Sequence, residues 1–273
     1  MKTILFPTDF SPVSDNALPY ALELVKRSRA ELILYHADFT PMIYATSTSL
    51  NPVILSDDEL EVSRNKLKTL YDTIMLQNPE INCRYDVEGG SASSNIIHYA
   101  EKNQPDCIVM GTEDLGAWER VFAGSVSDKG SEEVKCPVLV IPEKAGFNSP
   151  KLFIYATNLS GEEDKIIRQA IAFADLYSAE LELLHIRREE KPEIDEVEDT
   201  VDELIRKFSN SNLGYRIVRE DQIIEGIKEY GNKGDVLVVA RHKRNFIEKI
   251  FEGDHVRKLV RDAQIPVLIL HKE

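Results

Sequence analysis

The chain repeats itself, and the repeat constrains its fold more than any other feature. KTILFPTDFS from Lys2 is similar to KLFIYATNLS from Lys151, an offset of 149 residues. AELILYHA from Ala30 matches AELELLHI from Ala179 at the same offset. Near the end of each half the offset becomes 129: DCIVMG from Asp106 matches DVLVVA from Asp235, and CPVLVIPEK from Cys136 matches IPVLILHKE from Ile265. Two constant offsets imply two copies of one unit. Their difference places about 20 extra residues in the first copy, between its second and third strands. The segment ADFTPMIYATSTSLNPVILSDD supplies them. It is rich in Pro, Ser, Thr and Asn and reads as a long loop, the kind that serves as a lid or contact surface.

Each copy alternates strand and helix. In the first, Thr3–Pro7 is a short apolar run and reads as a buried strand. Ser14 and Asp15 can cap a helix running to about Arg27, in which Pro19 is a misfit unless it lies in the first turn. Ala30–Ala37 is a second strand and Asp58–Leu76 an amphipathic helix. Asn82–Val87 is a third strand, Ala92–Lys102 a helix and Asp106–Gly111 a fourth strand. Ser125–Val134 reads as a helix and Val138–Ile141 as a fifth strand. Strands alternating with helices require parallel pairing through right-handed crossovers. The expectation is two doubly wound α/β domains, each a five-stranded parallel sheet flanked by helices. The first spans residues 1–146 and the second 150–273.

Composition narrows the function. The chain has 273 residues and a formal net charge of −14. That acidity argues against a nucleic-acid or anionic-membrane binder, which needs a basic surface. It leaves room for one small anionic ligand, because a helix start can hold a phosphate inside an acidic protein. The N-terminus meets Asp9 too early for a signal peptide, and no stretch reaches the roughly 20 apolar residues of a membrane helix. Cys83, Cys107 and Cys136 show no CxxC spacing. A cytoplasmic protein with reduced thiols is expected.

In an open parallel sheet, ligands bind beyond the carboxyl ends of the strands, where the strand order switches. Three segments of the first copy converge there: Pro7-Thr8-Asp9 after the first strand, His36-Ala37 after the second, and Met110-Gly111 after the fourth. The loop after Gly111 leads to Gly124-Ser125-Val126 at a helix start. There a glycine lets backbone approach a phosphate, free N–H groups point outward, and Ser125 adds a hydroxyl. The plainer alternatives are that Gly124-Ser125 only caps its helix and that Asp9 only braces its own loop. His36 and His185 occupy equivalent positions, and that repetition points to a structural bond to neighbouring backbone. No HxxxH or HExxH pattern marks a metal site, no GxSxG elbow marks a nucleophile, and no catalytic residue is assigned. Trp118 and Phe122 lie in the loop after the fourth strand and read as a small core cluster.

The motifs PTDFS (Pro7–Ser11), LYHA (Leu34–Ala37), CIVMG (Cys107–Gly111), Gly124-Ser125 before a helix and CPVLVIP (Cys136–Pro142) run through the chain in this order. With their counterparts in the second half, they resemble a tandem universal stress protein of the UspA family. The resemblance implies two Rossmann-like (HUP-type) domains that pair through their last strands. Val138–Ile141 and Val267–Leu270 would then make the chain an intrachain pseudo-dimer, with further oligomerisation left open. In ATP-binding members the family implies G-x2-G-x9-G-[S/T] after the fourth strand. Gly111 and Gly124-Ser125 fit it, but Asp114 stands at the middle glycine, where a carboxylate disfavours phosphate. Pro7, Asp9 and Ala37 match the positions that contact the base.

In the second copy the matching positions are Ala240, Lys243 and Gly253-Asp254, and Asn158 replaces the Asp. That site reads as degenerate. The resemblance thus implies a stress-response regulator whose first domain binds ATP or another adenine nucleotide weakly, with Mg²⁺ as its optional companion, and which acts on an unidentified protein partner. The alternative is a scaffold of the same fold that binds no nucleotide. Residues 1–149 carry 13 Lys+Arg against 22 Asp+Glu, and residues 150–273 carry 20 against 25. The half with the better motif is the more acidic, so a phosphate there must be held against an unfavourable field.

Overall fold

The computed structural model describes residues 1–38, 57–112, 134–159, 163–187, 194–209, 211–241 and 263–271. In chain order these form β1 (Thr3–Pro7), α1 (Pro12–Ser28), β2 (Glu31–Asp38), α2 (Asp57–Gln77), β3 (Asn82–Gly89), α3 (Ala92–Asn103), β4 (Cys107–Thr112) and β5 (Val138–Pro142). The second copy supplies β6 (Leu152–Ala156), α4 (Asp164–Tyr177), β7 (Glu180–Arg187), α5 (Ile194–Lys207), β8 (Leu213–Arg219), α6 (Ile223–Gly231), β9 (Val236–Arg241) and β10 (Val267–His271). The chain divides into two compact units, one containing Met1–Met110 and the other everything from Lys135 onward.

In the first unit, β1 lies between β2 and β4, and β3 flanks β2. All of these pairs are parallel, with Pro7 opposite Tyr35 and Ile4 opposite Cys107. Ile4, Leu5, Leu32, Ile33, Leu34, Ile108 and Val109 are wholly buried. Burial on both faces explains why these strands read as unbroken apolar runs rather than alternating ones. In the second unit, β6 lies between β7 and β9, β8 flanks β7, and β10 flanks β9, again all parallel. This is the five-stranded parallel sheet that the sequence predicts. β5, the last strand of the first copy, belongs to this second unit and pairs antiparallel with β10, Leu139 opposite Leu268. The last strands of the two copies therefore pair, as the family resemblance implies.

The repeat extends to single hydrogen bonds. Asp106 Oδ2 accepts the N–H groups of Lys2 (2.6 Å) and Thr3 (2.9 Å). Asp235 Oδ2 accepts those of Lys151 (2.8 Å) and Leu152 (3.0 Å). Each aspartate thus stitches the start of the fourth strand of its copy to the start of the first. Partial burial would raise the Asp106 carboxyl, but the two N–H donors outweigh it and hold the group below its ordinary value. A depressed pKa contributes stability above the unfolded value, near 4, that is lost as pH falls through the folded value. In urea titrations the chain should therefore weaken as pH drops below about 4, and Asp106→Ala should weaken less steeply over that window. Equal slopes would exclude this contribution.

Helix α1 departs from its expected start. Its N-cap is Ser11, not Ser14 or Asp15; Ser11 Oγ accepts the Ser14 N–H at 3.3 Å, and Pro12 takes the first turn. Pro19 lies inside the helix rather than in its first turn. It withholds an N–H from the carbonyl of Asp15. Burial of Val13, Ala17, Ala21, Leu24 and Val25 outweighs that loss. Pro19→Ala should raise stability by about 1 kcal/mol in chemical denaturation, the restored helix bond being offset in part by a freer unfolded chain. A loss of stability would count against the helical geometry. Among the described residues no helix is long and apolar enough to cross a membrane.

Candidate functional site

The strand order 3-2-1-4 of the first unit puts its topological switch between β1 and β4. The carboxyl ends of these two strands carry Pro7-Thr8-Asp9 and Met110-Gly111, and β2 brings Ala37 alongside β1. The structure therefore gathers Pro7, Thr8, Asp9, Ala37, Met110 and Gly111 at one end of one sheet. Gly124, Ser125 and Val126 lie outside the described residues, as do Asp114, Gly116, Trp118 and Phe122, and so does most of the long first-copy loop.

Each residue of the β1 turn has a physical task. Thr8 is buried; its N–H donates to the Tyr35 carbonyl at 2.8 Å. Its Oγ1 accepts the Phe10 N–H at 3.0 Å and shares a hydrogen bond of 2.9 Å with Ser14 Oγ. Phe10 adopts the left-handed conformation, φ 61°, which reverses the chain out of the strand. His36 Nδ1 stands 2.7 Å from the Thr8 carbonyl. A carbonyl only accepts, so Nδ1 carries the proton and the histidine braces the turn. Asp9 is exposed, and its Oδ1 accepts the Ser11 N–H at 3.0 Å. Partial desolvation would raise its carboxyl, but hydrogen bonds from Ser11 and Ser14 lower it overall. Asp9 thus presents an ionised acceptor at the switch point and also braces its own loop. Ser63 Oγ donates to Asp38 Oδ2 at 2.6 Å, fixing the start of α2 against the end of β2.

The second unit repeats this turn with one exchange. Thr157 is buried, Leu159 is left-handed at φ 55°, and His185 Nδ1 donates to the Thr157 carbonyl at 3.1 Å. Burial lowers the His185 pKa, and the bond to Thr157 and the nearby Glu163 oppose this only in part. At the position of Ser14 the second copy has Glu163. This carboxylate is buried and accepts hydrogen bonds from Tyr155 Oη (2.5 Å) and from Thr157 Oγ1. Sequence reading missed this hub, although the offset of 149 aligns Glu163 with Ser14. Beyond it, β9 ends in Ala240-Arg241, and burial together with Arg241 pushes His271 down to about 4. A buried carboxylate and Asn158 thus replace the Ser14 hydroxyl and the Asp9 acceptor of the first unit. His242, Lys243, Gly253, Asp254 and His255 lie outside the described residues. Among the described residues, no group of three or more His, Cys, Asp or Glu is placed to hold a metal ion.

This repeated architecture has a known counterpart. The model of the universal stress protein family matches residues 1–142 and again residues 151–271. The chain belongs to the universal stress protein family. It contains two universal stress protein units in tandem. Universal stress protein MJ0531 of Methanocaldococcus jannaschii is 30% identical over 143 residues, covering 51% of this chain and 81% of the relative. A crystal structure of a universal stress protein from Archaeoglobus fulgidus covers 99% of this chain and 98% of that one, with 15% identity and a TM-score of 0.71. It shares the fold across both units. A universal stress protein family structure from Arabidopsis thaliana has AMP bound; it covers 52% of this chain and 92% of its own, with 17% identity and a TM-score of 0.36.

Proposed function

We infer that the first copy, residues 1–146, is a weak receptor for ATP or another adenine nucleotide. On this reading the chain is a nucleotide-responsive stress regulator of the cytoplasm with no dedicated catalytic step. The observation that carries the reading is the exposed, ionised Asp9 at the switch between β1 and β4, with Ala37 beside it at the end of β2. The carboxylate accepts a hydrogen bond from an exocyclic amine or a ribose hydroxyl, and Pro7, Ala37 and Met110 offer apolar contact to a base. Gly111 and the Gly124-Ser125-Val126 segment would receive the phosphates, with Mg²⁺ accompanying a triphosphate. The second copy, residues 150–273, has Asn158 in place of Asp9 and holds Glu163 under its turn, so it takes no nucleotide in this manner.

Thermal melts of the full chain with ATP or AMP test the reading. At a hundredfold excess over the dissociation constant, ligand should add about 2.7 kcal/mol of stability. Asp9→Ala should abolish that gain, and the loss of its hydrogen bond with the Ser11 N–H should lower the ligand-free midpoint, which then stays the same with or without nucleotide. An unshifted wild-type melt would favour the scaffold reading, which Asp114 at the middle glycine position supports. The surface for an unidentified protein partner would then be the long first-copy loop.

A further inference from the structure

Helix α2 packs on β3 and β2 through one face, where Ser63, Leu67 and Ile74 are buried. Its opposite face carries two of the exposed large apolar side chains of the described residues, Val62 at 55% and Leu76 at 84% exposure. They stand seven residues to either side of Thr69, close to two helical turns each way, so all three fall on one line along the helix. Apolar residues scattered singly over a surface are ordinary; two aligned on one helix face are not scattered. The middle of the line is small. Thr69 Oγ1 donates to the Asn65 carbonyl at 2.9 Å, and Thr73 Oγ1 donates to the Thr69 carbonyl at 2.8 Å. Both hydroxyls are satisfied inside the helix and ask nothing of a neighbour packed against them.

The second copy shows that the fold does not require this face. The Asn78 N–H donates to the Ile74 carbonyl, and the Phe208 N–H donates to the Leu204 carbonyl. That correspondence sets Thr69, Thr73 and Leu76 of α2 against Asp199, Glu203 and Arg206 of α5, all exposed. Charged residues are what a helix facing only water carries on its outer side. On α2 an uncharged line replaces them.

The line is also its own complement. A second α2, laid antiparallel to the first about a two-fold axis at Thr69, brings Val62 of each chain against Leu76 of the other. Thr69 then meets its own counterpart, small enough for the helix axes to approach to about 8–10 Å. On one flank the axis gathers Lys68 and Asp72 of both helices. These two already form an ion pair within α2 at 2.6 Å. Each ammonium gains a second carboxylate across the seam, and the four charges sum to zero. The antiparallel arrangement also opposes the two helix dipoles.

We propose that the outer face of α2 joins two chains in a symmetric dimer, α2 against α2, antiparallel about Thr69. A single helix face is small beside the interfaces of about 1,200–2,000 Å² that hold stable complexes, so the dimer is weak and forms as concentration rises. It is independent of nucleotide binding.

Sedimentation equilibrium of the full chain at about 0.15 M salt, where repulsion between two acidic chains is largely screened, tests this. The wild type should show a reversible monomer–dimer equilibrium. Leu76→Glu should weaken the dimer by about a hundredfold, because two-fold symmetry counts the substitution twice. The exposure of Leu76 means that the melting midpoint of the dilute monomer should hold. Tyr215→Ala, at an exposed apolar position on β8, should leave the equilibrium within about twofold. Linking with a short bis-maleimide reads the register. Thr69→Cys should give a covalent dimer, and Gln77→Cys, eight residues from the axis, should give no more than the wild type with its native cysteines. A wild type that stays monomeric overturns the proposal and leaves this face to a different protein. A dimer indifferent to Leu76→Glu, or one linked as readily through Gln77→Cys as through Thr69→Cys, overturns it as well.

Discussion

Replacing Glu163 with alanine should destabilise the chain by about 3 kcal/mol, because the buried hydroxyls of Tyr155 and Thr157 would lose their shared acceptor inside the second unit. A hydroxyl stranded away from water keeps its desolvation cost and recovers nothing. Glu163→Gln should cost less, since the amide oxygen still accepts one of the two donors. Tyr155→Phe removes only one donor and should cost about 1 kcal/mol. Urea denaturation of the three variants gives the order directly. A change under about 0.5 kcal/mol in the alanine variant, the level of an ordinary surface substitution, would show that the carboxylate is not in the core.

Leu268→Ala should be as damaging, at about 3 kcal/mol. Leu268 is wholly buried in β10, opposite Val238 of β9 on one side and Leu139 of β5 on the other. Truncation removes the transfer energy of the lost carbons and leaves a cavity that strands paired on both sides close poorly. Leu268→Ile keeps the volume and should cost less than about 1.5 kcal/mol. Tyr215→Ala, at an exposed position on β8, should change stability by no more than about 0.5 kcal/mol. If Leu268→Ala behaved like Tyr215→Ala, the antiparallel pairing of β5 with β10 would be contradicted.

The strands were the most legible part of this fold. Thr3–Pro7 ends where the apolar run ends, because a parallel strand buried on both faces needs apolar residues without interruption. Helix starts were less legible. Ser14 looks like a cap in the local pattern, but its hydroxyl turns back to Thr8, and Ser11 does the capping. That choice depends on a contact made only once the strand and helix are folded together. Phe10 gave no warning of its positive φ, since glycine is the residue that normally marks such a position. The burial of Glu163 was hidden for a different reason. In a chain of net −14 a glutamate before a helix reads as solvated surface, and only the alignment of the two copies sets it against a residue with an inward task.

The site was legible as a place more than as a chemistry. Pro7, Asp9, Ala37, Met110 and Gly111 come together because strand order alone decides which ends adjoin.

The most direct test of nucleotide binding by the first unit is residue-resolved NMR of the full, isotope-labelled chain titrated with AMP. Nucleotide binding by the first copy should shift the amides of Thr8, Asp9, Ala37 and Gly111, saturating together, and leave Thr157, Asn158, Ile186 and Arg241 unmoved. Shifts confined to the second set, or none in either unit at saturating nucleotide, would contradict it.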